Sequence, residues 1–362
     1  MSGFYGRGRA PERACRPIEA WPAEDRRLWQ AALQPGDLID GGGERARYRP
    51  ISNRKVERGY GRWLTYLDSS GMLDAGAHPA DRITPATVAG YVEAMQQLGN
   101  GSQTILSRLQ ELHEAALVMD PVHDWTWIRR IASRIRARHV PVRDKTAKLV
   151  GSEDLLALGA GLMAAAPTAA TPRLGALAFR DGLLIAFLAL CPLRLKNGTA
   201  LALDRQVVRQ GAGWWITIPA TETKTETPVD QPWPECLVAV LEEYLARWRP
   251  LLAQMTHRWT RPIGNALWVS TSGSPMTMQA VYDRVVARTK AAFGKAINPH
   301  CFRDIAATTI ADVDPEHVRI AAQILGHRSF ATTERHYIHA KMMAATRRHQ
   351  QHILRLRHSD ED

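Results

Sequence analysis

Four cysteines in 362 residues, Cys15, Cys191, Cys236 and Cys301, lie far apart with no CxxC pair. That scarcity argues against a zinc-binding framework or a disulfide scaffold and fits a reducing compartment. Long apolar runs are absent as well. The most apolar stretch, Gly182 to Leu193, is bracketed by Asp181 and Arg194 and is too short to span a bilayer, so it reads as a buried helix. The first residues, Met1 to Arg9, carry charge with no apolar region behind it, and no secretory signal is expected. Internal repeats and low-complexity tracts are lacking too, which excludes solenoids and fibrous arrays. Acidic residues are in deficit: 36 Asp plus Glu face 47 Lys plus Arg, a formal charge of +11, with a pI near 9.8. A polyanionic partner fits that balance.

With 45% hydrophobic residues, the chain can fill two cores, and two domains are the default expectation. Residues 1 to about 45 are rich in Arg, Pro and Gly and hold one short helical candidate, Ala23 to Leu33. This segment reads as an arm that either wraps the next domain, as Trp21 and Trp29 suggest, or binds elsewhere. Four amphipathic helices are then expected. The first carries Val56, Tyr60, Trp63, Leu64 and Leu67; the second opens with Thr84 as N-cap and Pro85 behind it. The third starts near Ser102 with Ile105, Leu109, Leu112 and Ala116, and the fourth follows Pro121 with Trp125, Trp127, Ile128 and Ile131.

A basic run leads out of the fourth helix: Arg129, Arg130, Arg134, Arg136, Arg138, Arg143, Lys145 and Lys148, opposed nearby only by Asp124 and Asp144. It is either a solvated face with a charged linker or a surface for phosphates. The stretch from Arg138 to Asp144 contains Pro141 and should break helix. Helical structure resumes at Ser152, and a long apolar helix follows Pro172 up to Pro192. Strands are expected at Trp214 to Ile218, at Val229 to Trp233 across the polar turn Glu222 to Glu226, and at Leu267 to Ser270. Leu237 to Trp248 returns to helix.

Three short pieces near the C-terminus carry chemistry: Pro299-His300-Cys301-Phe302-Arg303-Asp304, Leu325-Gly326-His327, and Thr332-Thr333-Glu334-Arg335-His336-Tyr337-Ile338-His339. His300 and Arg303 are three apart at the start of a helix expected from Cys301 to Ala311, so both project from one face. Arginine offers a planar fork for two phosphate oxygens, and histidine donates a proton near neutral pH. Asp314-Pro315-Glu316 should cap a helix that stops at Gly326, which leaves His327 just past its end. Thr332 is an N-cap for the helix bearing Tyr337, whose phenol becomes a usable nucleophile beside cations that stabilise the phenolate. Blander readings exist for each residue alone: a surface histidine with a paired arginine, a capping histidine, a tyrosine packed by its ring. Neither His300-x-x-Arg303 nor His336-x-x-His339 comes with a third-ligand pattern for a metal.

In order and spacing these pieces resemble the C-terminal half of the catalytic domain of the tyrosine recombinases, also called the phage-integrase family. The resemblance covers most of residues 50 to 345. It implies a mainly α fold with a small antiparallel β-sheet (α+β), built as a two-domain DNA clamp: an extension at 1–45, a helical core-binding domain at 46–138, a basic linker at 139–150, a catalytic domain at 151–345, and a tail at 346–362 that can dock on a neighbour. It implies Tyr337 as nucleophile, with His300, Arg303 and His327 around the phosphate. An earlier arginine is located at Leu193-Arg194-Leu195, and Lys224, in the turn between two strands, takes the role of acid for the departing 5′ oxygen. Where the family usually has Gly-Leu-Arg followed three places later by an acid, this chain has Pro192 and Asn197.

The implied activity is site-specific DNA strand exchange through a 3′-phosphotyrosyl intermediate, for integration, excision or transposition of a mobile element, without cofactor, metal or ATP. The implied partner is double-stranded DNA, bound by a monomer or dimer on one site and a homo-tetramer on two, with an accessory DNA-bending or directionality protein possible and no membrane. Arg129, Arg130, Arg134, Arg136, Arg138, Arg143 and Lys145 are the expected phosphate contacts, and the location is the cytoplasm, with the nucleoid. A type IB topoisomerase and a non-cleaving DNA-binding protein on the same fold are the alternatives.

Overall fold

The computed structural model describes residues 14–37, 41–138, 150–211, 213–255 and 260–313. The chain forms two compact units, Met1–Arg143 and Asp144–Asp362. Among the described residues no helix is long and apolar enough to cross a membrane.

The first unit is helical: α1 (Ala23–Leu33), α2 (Pro50–Ser69), α3 (Pro85–Gln97), α4 (Ser102–Met119) and α5 (Thr126–Ala137). Apolar residues at three- and four-residue steps put one stripe of each helix inside. Val56, Tyr60, Trp63, Leu64 and Leu67 of α2 meet Val88 and Tyr91 of α3, Leu109 and Leu112 of α4, and Ile128 of α5 in one core. Thr84 caps α3 through a reciprocal pair with Thr87, and Pro85 fills the first helical position, as the sequence led us to expect. Gly59 lets α2 approach α4, since a Cβ there would lie 2.4 Å from Glu111 Cβ. Trp21 and Trp29 are buried in this core, with Trp21 set edge-on to Tyr60. The described part of the N-terminal segment is thus an integral layer of the unit.

In the second unit, α6 (Ser152–Ala164) packs along α7 (Pro172–Leu190), and α8 (Leu195–Thr199) follows. Helix α7 is buried almost all round, which explains its unbroken apolar sequence. Gly159 and Gly182 face each other where α6 and α7 touch. A methyl group at Gly182 would sit 2.6 Å from the Gly159 carbonyl and 2.7 Å from the Met163 side chain. Gly182→Ala should therefore destabilise this unit by about 1–3 kcal/mol through overpacking. Urea unfolding followed in the second unit checks this; an unchanged midpoint would mean that the two helices separate freely.

A three-stranded antiparallel sheet comes next, β1 (Val207–Gln210), β2 (Gly213–Ile218) and β3 (Val229–Pro232), in the order β1-β2-β3. Its inner face buries Val207, Ile216 and Ile218, and Trp233, just past β3, stacks on Phe187 of α7. Strands β2 and β3 are the expected pair, in a register that sets Thr217 opposite Asp230. The expected strand at Leu267 to Ser270 does not form. Among the described residues this segment makes one isolated bridge, Val269 with Pro275, and the residue before it another, Ala266 with Ala202. Its burial comes from side chains instead, with Trp268 donating its indole N–H to the Gly198 carbonyl at 2.8 Å. Helix α9 (Val238–Glu243) passes through a π-turn at Tyr244–Trp248 into α10 (Arg249–Ala253), and the unit continues through α11 (Met278–Phe293) and α12 (Pro299–Val313).

Candidate active site

Arg194 owes its place to the end of α7. Pro192 has no N–H to extend the helix, so the chain turns out after Leu190 and restarts at α8 with Arg194 as its N-cap residue. Asn197 occupies the third position of this short helix, where an acid can reach back to the backbone N–H of the cap residue. It lines a small cleft of about 220 Å³ with Lys196, Arg205, Gln206 and Glu222.

Arg303 is placed from the other side. A buried network centred on Asp181 of α7 fixes α11: Asp181 accepts from Arg180, Arg284 and Arg288. Burial alone would raise the Asp181 carboxyl, but the Arg180 and Arg284 guanidiniums outweigh it and hold the group below its ordinary value. Gly294, in the left-handed region at φ +66°, ends α11. Thr289 Oγ1 then clamps Ile297, accepting from its N–H and donating to its carbonyl, both at 3.1 Å. Asn298 Oδ1 receives the backbone N–H groups of His300 and Cys301 at 2.9 and 3.3 Å, capping α12. Helix α12 thus begins at Pro299, two residues earlier than its apolar pattern suggests, with His300 exposed in its first turn.

One turn on, the Arg303 side chain runs inward, only 6% exposed, and donates to the Pro192 carbonyl, two residues before Arg194. Burial, and then the positive charge of Arg194, push the Arg303 pKa down to about 10. Burial also lowers that of Arg194. Two guanidiniums are therefore held within mutual repulsion at the same turn, an arrangement that an anion between them relieves.

Lys224 enters through the β2–β3 connection. After β2, a 3-10 turn at Ala220–Glu222 is fastened by Gln206, which donates to Glu222 at 2.9 Å. Thr223 is buried; its hydroxyl donates to the Ala220 carbonyl at 3.0 Å and accepts from the Thr227 N–H at 3.1 Å. Glu226 adopts φ +55° to close the turn. Lys224 is exposed at the tip, and its neighbour Thr225 accepts from Arg194 Nη1 at 3.4 Å. Arg194, Arg303 and the Lys224 turn are thereby brought together, with His300 on the same helix as Arg303. His327 and Tyr337, with the caps expected around them, lie outside the described residues.

Arg129, Arg130, Arg134, Arg136 and Arg138 are all exposed along α5 and its end, whereas Arg143 and Lys145 lie outside the described residues. Sequence reasoning missed a second cationic face. Arg54, Arg58 and Arg62 recur every four residues on α2 and, with Lys55 and Arg108, line a groove of about 860 Å³ between α2 and α4. Their spacing, offset from the apolar stripe, was the signal available. Asn298 had a signal that was missed, a cap residue directly before Pro299 at the helix start, whereas Thr225 carried none, because it acts through a contact that only the folded turn creates.

Comparison with known proteins adds the lineage. Residues 161–343, just over half of the chain, match the family model described as the phage integrase family. The chain is 27% identical over 159 residues to the tyrosine recombinase XerC of Pseudomonas fluorescens, a match covering 44% of this chain and 48% of that protein, so about half of that relative's length is spanned. Two solved structures share the fold. The Tn1549 transposon integrase in complex with transposon right end DNA has a TM-score of 0.53 and 16% identity over 89% of this chain and 98% of that one. The XerH site-specific recombinase bound to difH substrate has a TM-score of 0.54 and 14% identity over 92% and 99%.

Proposed function

The chain belongs to the phage integrase family, and on that premise we propose that it is a site-specific tyrosine recombinase acting on double-stranded DNA. The observation that carries this reading is the convergence of Arg303 and Arg194 on one turn, beside the turn that bears Lys224. The two guanidiniums clamp the non-bridging oxygens of the scissile phosphate and stabilise the charge of the pentacoordinate transition state. Tyr337 Oη attacks phosphorus, its proton passing to an imidazole, His300 or His327. The P–O5′ bond breaks, and Lys224 delivers a proton to the departing 5′ oxygen. A 5′ hydroxyl of the partner duplex then attacks the 3′-phosphotyrosyl link and releases the tyrosine. Each broken bond is conserved in the covalent intermediate, so neither ATP nor a metal ion is required.

In this reading 46–138 is the core-binding domain, 139–150 a linker, 151–345 the catalytic domain, and 346–362 a tail that docks on a neighbouring protomer in a tetramer assembled on two sites. The substrate is a mobile element's ends, and the place of action is the cytoplasm, at the nucleoid. The test is incubation with nicked suicide duplexes tiled across DNA flanking its gene, followed by denaturing electrophoresis for a protein–DNA band. Binding without any adduct would favour a non-cleaving DNA-binding protein, the reading that Asn197 supports.

Both cationic faces of the first unit suit phosphate contacts. Each phosphate neutralised adds about 0.9 to the slope of log affinity against log salt. Replacing Arg54, Arg58 and Arg62 together by Ala should flatten that slope by about 2–3 and weaken binding to all sequences alike. A triple variant with the wild-type slope would remove the α2–α4 groove from the interface.

A further inference from the structure

We propose that Thr225 is a positioning residue that couples the lysine-bearing turn to the phosphate clamp, its hydroxyl joining the Lys224 turn to the Arg194 guanidinium. The proposal rests on the recombinase reading above. Its basis is local. The residue three places after Arg194 is Asn197, whose neutral amide forms no ion pair. Thr225 Oγ1 accepts from Arg194 Nη1 at 3.4 Å, the long distance common for catalytic hydrogen bonds before substrate tightens them. The turn itself is stiff enough to pass on that contact. Thr223 anchors it on one side through the Ala220 carbonyl and the Thr227 N–H. Thr227 Oγ1 donates to the Thr225 carbonyl at 3.4 Å, and Glu222 is held by Gln206 and Arg205. A phosphate that draws Arg194 into place therefore draws the Lys224 turn with it, and the proton donor arrives together with the group it must protonate.

The test is single-turnover cleavage of suicide duplexes with an ordinary scissile phosphate or with sulfur in place of the 5′ bridging oxygen. Cleavage breaks P–O5′ and requires a proton on the leaving oxygen, whereas P–S5′ cleavage releases a thiolate that needs none. On the ordinary substrate Thr225→Val should slow cleavage about tenfold or more, as expected for one hydrogen bond to a charged group. Thr225→Ser should recover most of that loss, and bridging sulfur should shrink the Thr225→Val deficit as it shrinks that of Lys224→Ala. A Thr225→Val deficit of equal size on both substrates overturns the proposal, since the residue would then act on Arg194 or on folding alone. Wild-type rates in Thr225→Val overturn it as well. The underlying reading has its own markers: adduct formation by wild type and rescue of Lys224→Ala by sulfur. Loss of the first sinks both ideas, whereas failure of Thr225→Val alone leaves the recombinase reading standing.

Discussion

Tyr337→Phe should abolish the protein–DNA adduct on suicide duplexes while leaving DNA affinity within about twofold. The deficit in adduct formation should exceed about 10⁴, because a removed nucleophile leaves no alternative covalent path. The choice of Tyr337 among eight tyrosines has a physical basis beyond motif order. A tyrosine nucleophile needs its phenolate favoured. Burial does the opposite for Tyr60, Tyr91 and Tyr244, whose phenols are pushed up, that of Tyr244 to about 12. Desolvation raises Tyr66 too. Tyr337 instead follows, in the same C-terminal sequence, the helix that carries His300 and Arg303. Denaturing electrophoresis with radiolabelled duplex reads the outcome directly. A residual adduct of wild-type size in Tyr337→Phe would assign the nucleophile elsewhere, and Tyr282, exposed on α11, would be the next to test.

What the sequence disclosed and what it hid divide along a physical line. Helices α2 to α4 were legible because each buries a stripe at helical period, and α3 announced its start with Thr84 and Pro85. The His-x-x-Arg pair was legible as two residues one turn apart on one helix, but its sequence did not tell that Arg303 turns inward to the Pro192 carbonyl while His300 stays exposed. Strand β1 was hidden: four residues with a single buried side chain give too little alternation to detect, and its register is set by the hairpin with β2. Leu267 to Ser270 misled for the converse reason. Its apolar residues fill the core around α7 without a neighbouring strand to pair with, and burial alone looks like a strand in sequence. Thr225 and the Arg303–Pro192 contact join residues 31 and 111 positions apart, and long-range contacts of that kind leave no periodic trace.

Arg303→Met separates catalysis from stability and should do so with opposite signs. Holding Arg303 charged in its site costs on the order of 3 kcal/mol, from a pKa depressed below the ordinary arginine value to about 10 at about 1.4 kcal/mol per unit. For a base whose folded pKa is lowered, that cost is full below the folded value and disappears only as pH rises through it toward the unfolded one. At neutral pH methionine removes the whole cost. Against this stands the Pro192 carbonyl, which loses its donor at about 1–3 kcal/mol. The variant should therefore melt at or slightly above the wild-type temperature, while its cleavage rate falls by about 10²–10³, the usual loss for a removed transition-state donor. Arg303→Lys sharpens the argument. The same burial would depress a lysine from its lower ordinary value, so its charge would be lost at lower pH than that of Arg303, and its cleavage rate should fall over an alkaline range in which wild type stays flat. A large drop in melting temperature for Arg303→Met would make Arg303 a structural strut between α12 and the Pro192 turn. Stability retained with cleavage lost means that the fold carries a buried arginine beside the half-buried Arg194 for the sake of the phosphate that it binds.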